Sequence, residues 1–214
     1  MKKLSDFFKL IRWPNLLFIA LTQILFFYCV VQPVLYGGGL HMQREYYILF
    51  FILSLSSIFI AAAGYVINDY FDLNIDLVNK PGRMVVDKSI SRRWAIFFHM
   101  LFSFAGVLMG FYIGLQNGNW IIGFANTGCV FLLWFYSTTF KKKLLSGNII
   151  ISLLTAWVVF VVYLLTIHQE VNLLHMINTD AQQKLFRLAI LYSSFAFIIT
   201  LIREVVKDIE DMEG

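Results

Sequence analysis

The sequence predicts an all-α fold, a polytopic membrane bundle of six transmembrane helices, and three observations carry that prediction. Hydrophobic residues make up 59% of the 214 residues and charged residues 14%, against roughly 45–50% and about 25% in an average soluble chain. Mean hydropathy is +0.74. Six apolar stretches approach the roughly 20 residues that a helix needs to cross about 30 Å of hydrocarbon. A water-soluble domain is excluded. With three prolines and no polar low-complexity run, extended disorder and collagen-like structure are excluded too. Residues 1–214 read as one membrane-embedded domain.

The first span, Leu16 to Tyr36, is longer than a secretory signal core and lacks a small-residue cleavage site, so it is expected to be retained. Before it, Phe7, Phe8 and Ile11 share a helical face while Lys2, Lys3 and Lys9 face outward, the pattern of an interfacial anchor. The second span is Tyr46 to Ile67. The third, Trp94 to Leu115, carries Gly106, Gly110 and Gly114, a small-residue ladder that lets a neighbouring helix approach closely. Trp120 to Tyr136, Ile149 to Ile167 and Leu185 to Ile202 complete the set, and Gln169 to Lys184 is expected to form a short surface helix.

Basic residues alternate with these spans. Lys2, Lys3, Lys9 and Arg12, then Lys80, Arg83, Lys88, Arg92 and Arg93, then Lys141, Lys142 and Lys143, then Arg203 and Lys207 fall on one side. The other side has only Arg44, Lys184 and Arg187. This is the positive-inside signal of a multi-pass protein of the cytoplasmic membrane with both termini in the cytoplasm. The same excess accounts for the basic balance without nucleic acid as a partner.

Acidic residues are scarce, so their positions are informative. Eight of the 13 lie in two clusters leaving the second and sixth spans on the cytoplasmic side. The first holds Asn68, Asp69, Asp72 and Asp76. At about 100° per residue, the i, i+3 and i+7 positions fall within roughly 60° of arc, one face of a continuing helix. The second holds Glu204, Asp208, Glu210, Asp211 and Glu213, in which Asp208 and Asp211 repeat the i, i+3 step. Carboxylates crowded on one face repel unless cations or protons compensate them. Magnesium takes oxygen ligands and commonly binds one or two carboxylates together with substrate phosphate oxygens. Facing acidic helix ends therefore suit a magnesium diphosphate, with Lys80, Arg83 and Lys141 placed to contact outer phosphate oxygens.

Other readings are weaker. Asp72, Asn74 and Asp76 match the start of a calcium loop, but Leu77 stands where glycine is needed and Arg83 where the bidentate glutamate belongs. Cys29 and Cys129 lie in apolar runs and read as fillers. The four histidines are scattered and read as loop or interface residues, and Gly37 to Gly39 lack the strand and lysine of a phosphate loop. A divalent-cation or small-solute transporter is the rival function, since membrane carboxylates often mark ion paths. Transporter sites favour broken helices near the midplane, whereas these acids sit at span ends on one side.

The residues resemble the UbiA-type intramembrane prenyltransferases across essentially the whole chain. Asn68-Asp69-x-x-Asp72-x-x-x-Asp76 followed by Asn79-Lys80-Pro81-x-Arg83 is similar to that family's first signature, and Lys207-Asp208-x-x-Asp211-x-x-Gly214 to its second. Arg12-x-x-Asn15, Tyr136-Ser137 with the lysines after it, and Gly147-Asn148 are similar in a weaker way. The resemblance implies a helical bundle around a cavity in which Mg2+ and a polyprenyl diphosphate meet a lipid or aromatic acceptor. It implies Asp69, Asp72, Asp76, Asp208 and Asp211 as catalytic metal ligands, and Arg12, Asn15, Asn68, Lys80, Arg83, Lys141 and Asn148 as substrate-binding residues. The form of the second signature is similar to the branch that prenylates geranylgeranylglyceryl phosphate, the preferred acceptor, and also to homogentisate-type prenyltransferases, with hydroxybenzoate, naphthoate and haem acceptors left open. Met84 stands where proline often closes the first signature. The family implies about nine helices where six are read here, so the chain is expected to be truncated, lacking part of the cavity wall and one metal ligand.

Overall fold

The computed structural model describes residues 2–36, 44–73, 85–143, 145–173 and 179–213. Apart from one isolated bridge between Val86 and Ile90, the described residues are helix and turn. Helix α1 (Lys2–Leu10), whose Phe7 packs on Phe98 and Phe102, leads into α2 (Trp13–Phe26) and α3 (Gln32–Tyr36). Then come α4 (Arg44–Phe71), α5 (Arg92–Asn117), α6 (Ile121–Thr138), α7 (Ser146–Leu173) and α8 (Thr179–Glu213). Among the described residues, six stretches are long and apolar enough to cross a membrane, and they match the six expected spans. Large apolar side chains such as Phe51, Phe104, Phe124 and Phe195 point outward, exposed by 64% or more, as a lipid-facing belt requires.

Local sequence sets the breaks. Arg12 takes a left-handed conformation (φ 50°, ψ 54°) between α1 and α2, and Pro14 opens α2, where its missing N–H costs nothing. Further along the first span, Pro33 has no N–H and its ring crowds the carbonyl four residues back. The helix widens just before it into a π turn over Phe27–Val31, where the Gln32 N–H bonds the Phe27 carbonyl. That turn directs the buried Phe27 ring onto Phe50, stacked at 4.0 Å.

Helix α4 is central, with 56% of its most apolar 18-residue stretch buried, and it packs against α2, α5, α6 and α7. The glycine ladder of α5 serves two neighbours. A Cβ on Gly106 would lie 2.6 Å from Ile60 of α4, whereas one on Gly110 would meet Asn126 of α6 at 2.7 Å. The α7–α8 pair closes the other side, and α8 meets the first span at α3, at the π turn and at Phe26, whose ring lies 5.7 Å from that of Tyr192. The expected surface helix between the last two spans is replaced by extensions of both: residues through Leu173 continue α7, and α8 already starts at Thr179. Adding polar helix formers to an existing helix avoids the cost of a new nucleus. Residues 174–178 lie outside the described residues.

Buried polar side chains link the spans. Gln23, with no exposure, donates to Ser57 Oγ (2.9 Å) and the Val158 carbonyl (3.0 Å) and accepts from Ser54 Oγ (2.7 Å), joining α2, α4 and α7. Asn126 donates to Ser56 Oγ, which donates to the Gly106 carbonyl. Gln23→Leu strands the hydroxyls of Ser54 and Ser57, and is expected to cost about 1–2 kcal/mol given the modest worth of interhelical hydrogen bonds in membranes. Thermal unfolding in detergent checks this; an unchanged midpoint would make Gln23 a spectator.

Candidate functional site

A cavity of about 1230 Å³ opens at the end of the bundle where α2 begins and α4 and α8 finish. Its inner part is walled by residues such as Ile60, Ala61, Leu133, Leu154 and Val158, and its mouth by charged groups. Three contacts pin five elements to that mouth. Arg12 Nη2 bonds Asp69 Oδ1 at 2.8 Å. Lys141, in the turn after α6, pairs with Asp72 and lies 3.5 Å from Asn68 Oδ1. Asn148 Nδ2, near the start of α7, donates to Asp208 Oδ2 of α8 at 2.7 Å.

The first cluster works as a continuing helix end. Helix α4 runs through Asn68 and Asp69, and the Asp72 N–H still bonds the Asn68 carbonyl at 3.0 Å. The Asn68 amide then donates to Asp72 Oδ2 at 2.8 Å, fixing the carboxylate from its own helix. Asp72 is buried while Asp69 is partly open, with Arg12 also lying 5.1 Å from the centre of the Tyr65 ring.

Both acidic clusters occupy the C-terminal ends of long helices, where the backbone carbonyls already carry partial negative charge. Carboxylates there gain nothing from the helix dipole and add to its field. Two such ends converging on one mouth create a negative focus that draws cations, and Arg12 and Lys141 answer part of it from within the chain.

Among the described residues, no group of three or more His, Cys, Asp and Glu side chains is placed to hold a metal ion. An all-oxygen mouth offering carboxylates from two helices fits magnesium, which keeps water and shares its coordination with phosphate oxygens. Asp69, Asp72, Arg12, Asn15, Asn68 and Lys141 all line the cavity. Asp208 and Asn148 are instead tied to each other at its edge. Asp76, Lys80 and Arg83 lie outside the described residues; Asp211 falls within α8, its side chain outside them.

The structure adds residues that spacing did not single out. Tyr136 of α6 lines the cavity within the electrostatic reach of Asp72, Asp208, Glu204 and Arg12, so both clusters converge around its hydroxyl. Its only sequence signal was the Tyr136-Ser137 pair before the lysines. On α8, Arg203, Glu204 and Lys207 line the cavity. Glu204 shares a helix face with Asp208, but the roughly 40° between positions four apart leaves Glu204 facing the cavity and Asp208 facing α7. His99 is buried with Nδ1 3.0 Å from the Ala63 carbonyl, an interhelical link of the kind expected of it.

Comparison with known proteins gives the family and the fold. The model of the UbiA prenyltransferase family matches residues 24–214. Digeranylgeranylglyceryl phosphate synthase of Methanothermobacter thermautotrophicus is 37% identical over 153 residues, covering 71% of this chain and 46% of that protein. The protein of that name from Methanosphaera stadtmanae is 32% identical over 76% of this chain and 52% of its own length. The one from Hyperthermus butylicus is 32% identical over 100% of this chain and 65% of its own length. A solved structure from work on the biosynthesis of digeranylgeranylglyceryl phosphate synthase in membranes superposes with a TM-score of 0.70 at 25% identity, over all of this chain and 65% of that one. The chain thus spans about half to two thirds of the length of the relatives it matches.

Proposed function

The chain belongs to the UbiA prenyltransferase family, and from that premise we propose that it serves magnesium-dependent transfer of a prenyl group from an allylic polyprenyl diphosphate to geranylgeranylglyceryl phosphate. One observation carries the reading: carboxylates at two helix C-termini, with Arg12 and Lys141 paired to the first, stand at the mouth of a cavity whose inner walls include Ile60, Ala61, Leu133, Leu154 and Val158. The names of the relatives support the glyceryl phosphate acceptor over aromatic ones.

In this reading Asp69, Asp72, Asp208 and Asp211, with Asp76, hold Mg2+, which when bound neutralises charge on the diphosphate. Asn68 and Asn148 hold Asp72 and Asp208 in orientation. Arg12 and Lys141 take outer phosphate oxygens, joined by Lys80 and Arg83, and Asn15 borders the same space. As the allylic C–O bond weakens, its electron pair goes to the leaving diphosphate, and these cations stabilise the growing charge. The apolar walls keep water from the allylic carbon so that the acceptor hydroxyl oxygen forms the new C–O bond, its proton passing to an oxygen of the departing diphosphate. Basic loops at the mouth favour a site facing the cytoplasm.

The test is binding of radiolabelled geranylgeranyl diphosphate to the detergent-purified chain with magnesium and with EDTA. Binding that depends on magnesium is expected, and Arg12→Gln should weaken it by about 10- to 100-fold, the worth of one charge-assisted hydrogen bond. Magnesium-independent binding, or none, would count against the reading.

A further inference from the structure

The donor site uses the cations nearest α4 and leaves those of α8 without a task. Along α8 the cavity lining passes from Ala196 and Thr200 to Arg203, Glu204 and Lys207. Along α4 it passes from Ile60 and Ala61 to Asn68 and Asp69. The Lys141–Asp72 and Asn148–Asp208 contacts put both charged ends at the same mouth. The cavity therefore has two walls graded the same way, apolar inward and charged at the mouth, where acidic residues including Glu204 and Glu210 stand beside Arg12, Lys141, Arg203 and Lys207, so that each wall can take a lipid tail inward with its head among those charges. Its volume of about 1230 Å³ exceeds the roughly 300–1000 Å³ of a pocket for one small ligand.

The two walls differ in how their charges are settled. On the α4 side Arg12 and Lys141 are each paired with a carboxylate. On the α8 side Lys207 reaches Glu204 only at 3.7 Å, and Arg203 forms no ion pair with a described residue. Arg203 is also the first charged residue after the apolar lining of α8, about 10 Å before Glu210 along the helix. Arg203 is exposed where it lines the cavity, and its planar fork matches phosphate oxygens.

We propose that Arg203, with Lys207 one turn on, forms a second anion site in this cavity that binds the phosphate monoester of a single-chain glyceryl lipid and so selects a phosphorylated acceptor. The inference rests on the prenyl-transfer reading and assigns the acceptor head to α8, across the mouth from the cations that hold the diphosphate. Arg203 is a specificity residue here. It sets which acceptor is held.

The test uses the purified chain in detergent and measures binding of 1-O-hexadecylglyceryl phosphate, the uncharged 1-O-hexadecylglycerol, two-chain phosphatidic acid, and magnesium with inorganic diphosphate. The phosphate ether is expected to bind about tenfold or more tightly than the uncharged ether. Arg203→Gln should remove that preference and leave diphosphate binding unchanged, while Arg203→Lys keeps part of it. Equal binding of the two ethers by the unmodified chain would overturn the proposal. So would an equal loss of diphosphate binding in Arg203→Gln, which places Arg203 in the donor site. Phosphatidic acid bound as tightly as the single-chain phosphate would make Arg203 a bilayer anchor instead. If the unmodified chain binds no magnesium diphosphate, the prenyl-transfer reading falls and this inference with it; if it binds diphosphate but does not discriminate between the ethers, only this inference falls.

Discussion

Asp72→Asn is expected to reduce magnesium-dependent binding of prenyl diphosphate by at least about 100-fold while the helical fold persists. Even partners one step removed from a metal typically cost about 10- to 100-fold in affinity when lost, and Asp72 is proposed to touch the metal directly. Its side chain is 8% exposed and held by Asn68 and Lys141, so asparagine fits the space without the charge. Breaking a fully buried pair costs roughly 3–5 kcal/mol. The penalty here is smaller, because the Lys141 side chain is 35% exposed and can turn to water. The double variant Asp72→Asn with Lys141→Met removes the stranded cation and should recover thermal stability without recovering binding. Two measurements, radioligand binding with and without magnesium and thermal unfolding in detergent, separate the roles. Wild-type affinity in the single variant would reduce Asp72 to a counter-ion for Lys141.

Gly106→Leu is expected to have the largest effect on stability, roughly 1–3 kcal/mol or more, as overpacking does in a filled interior. The added Cβ would stand 2.6 Å from Ile60 Cγ1 and 3.1 Å from the Ser56 carbonyl oxygen. The isoleucine can shift; the backbone of α4 cannot without moving the helix. The same contact holds the 2.7 Å bond from Ser56 Oγ to the Gly106 carbonyl and, through Ser56, Asn126 of α6. Because α4 carries Asn68, Asp69 and Asp72 at its far end, separating it from α5 should weaken diphosphate binding along with the unfolding midpoint. Gly128 provides the control: nothing lies within 4 Å of a Cβ there, so Gly128→Ala should be tolerated. Equal tolerance at both glycines would mean that α5 does not pack closely through Gly106.

The helices were legible because each membrane span must satisfy its own backbone and present apolar side chains to lipid, which forces long apolar runs that hydropathy detects. The ends were less legible. Expecting a separate surface helix between the last spans missed that polar residues such as Gln169 and Lys184 prolong the existing helices. The cluster Asn68, Asp69 and Asp72 was readable from helical periodicity, and the structure joins it to Arg12 and Lys141 as two ion pairs. Asp208 keeps company with Asn148, a pairing across 60 positions that no local pattern specifies.

By itself the sequence determined the number of spans, their membrane environment and the two acidic helix ends, because these follow from composition and from the 3.6-residue period within single helices. Which helices face one another was decided only in three dimensions. Gly106 and Gly110 look alike in the chain, yet one admits α4 and the other α6. The cavity, the place of Tyr136 between both clusters, and the turn of Arg203 and Glu204 toward the interior likewise depend on helix rotation and crossing. Those are set by side-chain packing and interhelical hydrogen bonds among residues far apart in the sequence.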